Sequence, residues 1–113
     1  MLPLKQRLVR EADFRRVYQR GATCFSPDIV LKASPNGLSE SRFGIVVSLK
    51  VSKKAVDRNR IKRRIGDIIR LRLATIKTGR DILLIVKKGK NIDKYDDIKR
   101  NIEYLFQKTH LYL

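Results

Sequence analysis

Between Lys50 and Arg64 the chain reads Lys-Val-Ser-Lys-Lys-Ala-Val-Asp-Arg-Asn-Arg-Ile-Lys-Arg-Arg: eight Lys or Arg in fifteen residues, against one acid, Asp57. Guanidinium forks grip phosphate oxygens two at a time, and ammonium groups add point charge along a backbone. Phosphate binding is therefore the chemistry on offer, with the steep salt dependence that counterion release brings. Sets for covalent or metal chemistry do not assemble. There is one histidine, His110, and one cysteine, Cys24, with no HExxH or GxSxG, so neither nucleophilic nor zinc catalysis is supported. Neither GxGxxG nor GxxxxGK followed by Ser or Thr occurs, which leaves nucleotide binding in those modes unsupported. Asp93, Asp96 and Asp97 read as helix-start charges, not a metal pair, and His110 as an ordinary surface histidine. These residues predict a protein that does no chemistry alone.

The whole composition repeats that message. Twenty-seven Lys and Arg against 11 Asp and Glu give a formal net charge of +16 and a pI near 10.6. A compact chain so charged repels itself, and its natural partner is a polyanion. Nucleic acid comes first. A membrane comes second and poorly: no apolar run approaches the roughly 18 residues that span a bilayer, and the N-terminus lacks an apolar h-region. The lone Cys24 excludes a disulfide framework and a CxxC metal site, and fits a reducing, cytoplasmic setting. With 113 residues and 42% hydrophobic content, residues 1–113 are expected to form a single folded domain.

The elements that must position these cations follow from periodicity. A first helix is expected over Arg10–Arg20, with Phe14, Val17 and Tyr18 at i, i+3 and i+4, Arg15, Arg16 and Arg20 covering its surface, and Gly21 at its stop. Phe14 and Tyr18 read by default as core. Thr23–Phe25 and Asp28–Ala33 are expected strands, with Lys32 sharing a face with Val30. Ser34-Pro35-Asn36-Gly37 is a turn. It predicts an antiparallel hairpin with the next strand, Arg42–Leu49. A long basic helix runs from about Ser52 or Lys53 to Ile76, closed by Thr78-Gly79. Ile61, Ile65, Ile68, Ile69, Leu73 and Ile76 form its apolar face. Asn59, Arg63, Gly66 and Arg70 project oppositely, with Lys62 on the edge. Asp81–Val86 is the most apolar strand and belongs in the sheet centre, with Lys87, Lys88 and Lys90 around Gly89 at its exit. A last helix over Lys94–Lys108 turns Tyr95, Ile98, Ile102, Leu105 and Phe106 inward, with Asp93, Asp96 and Asp97 at its start.

The order α-β-β-β-α-β-α is that of a small α/β (α+β) sandwich. Its basic helix follows no tight helix-turn-helix, and zinc fingers and dimerising heptads are missing, so RNA fits better than duplex DNA. Aromatics beside cations suit single strands, whose bases can stack.

Arg58-Asn59-Arg60-Ile61-Lys62-Arg63, preceded by Lys53-Lys54-Ala55, resembles the RNR signature of the bacterial ribonuclease P protein component. Arg7-Leu8 with Asp13–Gly21 is similar to that family's opening helix, Arg42–Ser48 to its strand before the RNR helix, and Asp81–Gly89 to its strand ending in a Lys-Gly turn. Four segments in this order carry the resemblance over nearly the whole chain. It implies a two-layer sandwich like the second domain of ribosomal protein S5, with a left-handed β-α-β crossover through the RNR helix. General rules alone predict a right-handed one in about 98% of cases.

The function implied is that of a ribonuclease P subunit: an endoribonuclease holoenzyme that hydrolytically removes the 5′ leader of precursor tRNA, its RNA subunit catalysing with bound Mg²⁺. No metal is expected on this chain. Lys50, Lys53, Lys54, Arg58, Asn59, Arg60, Lys62, Arg63 and Arg70 would meet the catalytic RNA. Phe14, Tyr18, Lys32 and Ser48 would line the leader cleft. The implied partners are ribonuclease P RNA, one to one with an otherwise monomeric protein, and precursor tRNA. Three positions depart from the pattern. Lys32 stands where an aromatic is common, and Leu49 replaces the first of two lysines, leaving Lys50. Gly66 replaces an Arg or Lys at roughly 1 kcal/mol of helix propensity relative to Ala, and either admits RNA backbone closely or weakens a contact. The competing reading is a general RNA-binding ribosomal protein or RNA chaperone, which composition fits equally well.

Overall fold

The fold is that of a computed structural model, which describes residues 2–87 and 94–113. Lys88, Gly89, Lys90 and Asp93, each given a place by the sequence reading, lie outside the described residues. A 3-10 turn, Leu4–Gln6, precedes helix α1, Glu11–Arg20. Strands β1, Ala22–Phe25, β2, Ile29–Pro35, and β3, Arg42–Val47, come next. Helix α2, Ala55–Arg70, a 3-10 turn, Leu73–Thr75, strand β4, Arg80–Val86, and helix α3, Tyr95–Lys108, complete the order.

The sheet runs β1-β2-β4-β3. β1 and β2 pair antiparallel, β2 and β4 antiparallel, and β3 and β4 parallel. β4 is thus flanked on both edges, as its apolar run requires. The expected β2–β3 hairpin does not form, because β4 takes the place between them. The Asn36 side chain explains how the loop opens: its amide donates to Glu40 O at 3.0 Å and to Asp81 Oδ1 at 2.9 Å, tying the loop to the head of β4. A turn signature records that the chain reverses. It does not record which strand slides in beside it.

Strand alternation sorts the two faces. Ile29, Leu31, Phe43, Val47, Ile82, Leu84 and Val86 face one way and form the main core with Ile61, Ile65, Ile68 and Ile69 of α2 and Ile98, Ile102, Leu105 and Phe106 of α3. Tyr95, expected inward, is exposed on the first turn of α3. Leu83 and Ile85 face the other way, where Val17 of α1 and Leu8 cover part of the sheet.

The basic helix is shorter than its periodicity predicts. Ser52 precedes it in a turn, accepting the Lys54 N–H at 3.2 Å and donating to Asp57 at 3.0 Å. At the far end the Arg72 N–H bonds back only three residues, to Ile69 O at 2.9 Å. Ile76 is buried, yet in an extended bridge to Tyr112 rather than in the helix. One apolar residue falling in step with a helix satisfies both readings. The C-terminal segment decides between them: Lys77 N–H donates to Leu111 O at 2.8 Å and Leu113 N–H to Thr75 O at 2.9 Å.

Candidate nucleic-acid interface

Parallel pairing puts Asp81 opposite Arg42 at the head of β4, on the face that α1 covers. A carboxylate there is fully buried and needs cations and donors to remain charged. Arg42 supplies a fork, Nε to Oδ1 at 2.8 Å and Nη2 to Oδ2 at 2.7 Å. Asn36 adds its amide, and Arg16 of α1 reaches across to Oδ2 and to Ser34 Oγ at 3.2 Å. Asp13, one turn before Arg16, stands 3.5 Å from Arg42. Burial pushes the Asp81 carboxyl up, but the bonds from Arg42 and Asn36 and the Arg42 charge outweigh it and hold it below the ordinary carboxylate range. The same bond to Asp81 raises Arg42 further, against its own burial. The sequence reading left Arg16 on the helix surface; it belongs to this network, which pins α1 to the sheet. An acid heading an otherwise apolar strand was the available signal, since such a group demands partners.

Pinned there, α1 leaves part of that face of the sheet open. Val17 is buried, and Phe14 lies half-buried over the bare Cα of Gly44, where an added Cβ would meet Phe14 Cε1 at 2.6 Å and Leu83 Cδ2 at 2.8 Å. Beyond Phe14 the sheet opens into a cleft of about 280 Å³ lined by Phe14, Tyr18, Val46, Leu83 and Ile85, with Glu11 and Arg15 at its rim. Tyr18 is 59% exposed. Lys32 stands over its ring with Nζ 4.5 Å from the centroid and donates to the Tyr18 carbonyl at 3.0 Å. Farther out, Phe25 is 64% exposed, with Lys87 Nζ 5.8 Å from its ring centre. Exposed rings beside ammonium groups are what stacking on unpaired bases uses. The structure therefore joins Phe14, Tyr18 and Lys32. Ser48 lies exposed just beyond β3, two residues past Val46, and does not line the cleft. Val46, Ile85 and Phe25 escaped the sequence reading because strand alternation names two faces without saying which one a helix leaves open.

The cations of α2 divide. Asn59, Lys62, Arg63 and Arg70 are exposed, as are Lys50, Lys53 and Lys54 ahead of the helix. Lys62 and Arg63 border a groove shared with Phe14. Arg60 and Arg64 lie on the other flank, facing Lys94 just ahead of α3 and Arg100 within it. Three of the expected RNA contacts already have partners within the chain, Arg70 among them, its Nε 3.9 Å from Asp67 Oδ1. Arg58 donates to Ser52 O at 3.0 Å, clasping the turn before the helix, and Arg60 stands 3.2 Å from Asp57. Gly66, expected on the outer face, is buried against that groove. It sits at the edge of the apolar stripe, and without a side chain nothing carries it outward. Among the described residues, no group of three or more His, Cys, Asp or Glu side chains could hold a metal ion, and no helix is long and apolar enough to cross a membrane.

A cationic helix beside a partly covered four-stranded sheet with exposed rings, three helices in all, defines a mixed α/β protein. The family model described as Ribonuclease P matches residues 2–110, and the chain belongs to the ribonuclease P protein family. It is 38% identical over 109 residues to the ribonuclease P protein component of Clostridium acetobutylicum, covering 95% of this chain and 91% of the relative. The Synechocystis protein of the same name is 38% identical over 109 residues, covering 96% and 88%. Among solved structures, the Staphylococcus aureus RNase P protein superposes with a TM-score of 0.87 at 27% identity, covering 96% of this chain and 98% of that one. The Thermotoga maritima RNase P protein, in complex with 1-(4-fluorophenyl)-2-thiourea, gives 0.79 at 30% identity, covering 90% and 98%.

Proposed function

We propose that this chain is the protein subunit of a ribonuclease P holoenzyme and holds precursor tRNA by its single-stranded 5′ leader. One observation carries the reading: Phe14 borders both the sheet cleft with Tyr18 and the groove beneath Lys62 and Arg63. A strand lying across Phe14 thus passes from stacking surface to cationic helix without leaving the protein. Unpaired leader bases stack on Tyr18 and Phe14, while Lys32 meets a leader phosphate. Lys50, Lys53, Lys54, Asn59, Lys62, Arg63 and Arg70 face the RNA subunit, screening its phosphates. Arg58 and Arg60 keep the entry to α2 in shape and join that surface from its edge.

Hydrolysis adds water across the phosphodiester at the leader junction, leaving a 3′-hydroxyl on the leader and a 5′-phosphate on the tRNA. On this reading the RNA subunit carries that step with its bound Mg²⁺. The protein contributes binding and position. It works in the cytoplasm, one chain per RNA.

The test is cleavage of 5′-labelled precursor tRNA at low Mg²⁺ by protein alone, cognate RNA subunit alone, and both together. Cleavage at the mature 5′ end that needs both components supports the proposal. Cleavage by protein alone, or no stimulation of the RNA, sinks it, the latter in favour of a general RNA-binding protein.

A further inference from the structure

The groove beneath α2 is more than an edge of the leader cleft. The N-terminal segment runs beside β3, with the Leu8 N–H donating to Phe43 O at 2.9 Å and Arg7 Nε to Leu2 O at 2.8 Å. Between this strap, β3 and α2 lies a pocket of about 340 Å³, at the small end of the range for ligand sites. Leu2, Leu8, Phe14 and Phe43 make its apolar walls, and Lys62 and Arg63 stand at its mouth with no carboxylate among the lining residues. Gly66 opens it: a Cβ built there meets nothing within 4 Å. Cationic rim and aromatic wall together call for a flat, apolar group carrying a phosphate.

We propose that this pocket receives one unstacked base of the RNA subunit, its phosphate held by Lys62 and Arg63. The proposal rests on the ribonuclease P reading above. An apolar side chain from a protein partner would fit the walls but leave the cations unmatched, whereas a nucleotide satisfies both.

Gly66→Leu fills the pocket while removing no charge, and Leu is a far better helix former than Gly. Its binding to transcribed ribonuclease P RNA, titrated across salt concentrations, is expected to weaken about tenfold or more, as loss of a stacked base does. Expelling the base carries its phosphate away from Lys62 and Arg63, so the slope against log salt should become shallower by up to about one. Gly66→Ala should bind like the native chain, and Gly66→Met, whose flexible side chain adapts to irregular space, should repeat the loss if the Leu variant folds poorly. Native affinity in the Leu and Met variants, with the native chain still binding RNA, overturns the pocket assignment and leaves the subunit reading intact. A loss with the slope of the native chain overturns it as well, since no phosphate has then left Lys62 and Arg63 with the base. Native protein that fails to bind the RNA overturns both.

Discussion

Arg42 grips Asp81 with two parallel bonds, Nε to Oδ1 at 2.8 Å and Nη2 to Oδ2 at 2.7 Å, across neighbouring parallel strands. The acid is fully buried and the guanidinium only 22% exposed. Arg16 of α1 shares the same carboxylate, so the position of a helix on the open face depends on a charge inside the sheet.

Removing either partner has unequal consequences. Arg42→Ala leaves a buried carboxylate short of its main donor and should cost about 3 kcal/mol of stability. Asp81→Asn leaves two arginines that can turn to water, and should cost nearer 1–2 kcal/mol. Urea denaturation of both variants checks the order; a larger loss for Asp81→Asn would show that the arginines, not the acid, are the trapped charges.

The same network sets an acid limit. Asp81 has a folded value below its ordinary 3.8, so the unfolded chain binds its proton more tightly. Stability therefore rises with pH through that interval. Its contribution is complete well above 3.8 and is lost as pH falls through the lower folded value. Denaturation midpoints measured down the pH scale should drop less steeply in Asp81→Asn than in the native chain.

Gly44 is small because Phe14 occupies its side-chain space. Gly44→Ala puts a methyl 2.6 Å from Phe14 Cε1 and 2.8 Å from Leu83 Cδ2, so the ring or the strand must shift. A cost of about 1–3 kcal/mol is expected. In a Phe14→Leu background the same change should cost less, and a thermal double-mutant cycle reads the difference. Strict additivity would place the strain on Leu83 alone.

Tyr18 offers the cleanest probe of the cleft, being 59% exposed and packed mainly under Lys32. Tyr18→Ala should leave the melting temperature nearly unchanged. In the assembled holoenzyme it should weaken precursor tRNA about tenfold, the effect of losing one stacked base, and leave mature tRNA unaffected. Equal losses for both ligands would remove Tyr18 from leader contact.

Much of this was legible in residue order. The charge of +16, the cationic run from Lys50 to Arg64 and the apolar steps Ile61, Ile65, Ile68 and Ile69 are local properties, because helix periodicity and net charge depend only on neighbours along the chain. They determined a cationic helix with one greasy side, and β4 as an inner strand. Tertiary structure alone decided the rest. Whether β3 pairs with β2 or lies beyond β4, whether Ile76 ends a helix or bridges Tyr112, and whether Arg16 meets water or Asp81 all depend on residues far away in sequence. Gly66 makes the point most sharply: a helical wheel points it outward, while the strap from Leu2 to Val9 and the rings of Phe14 and Phe43 make its missing side chain the opening of a pocket. Periodicity states which way a residue points; only packing states what stands there.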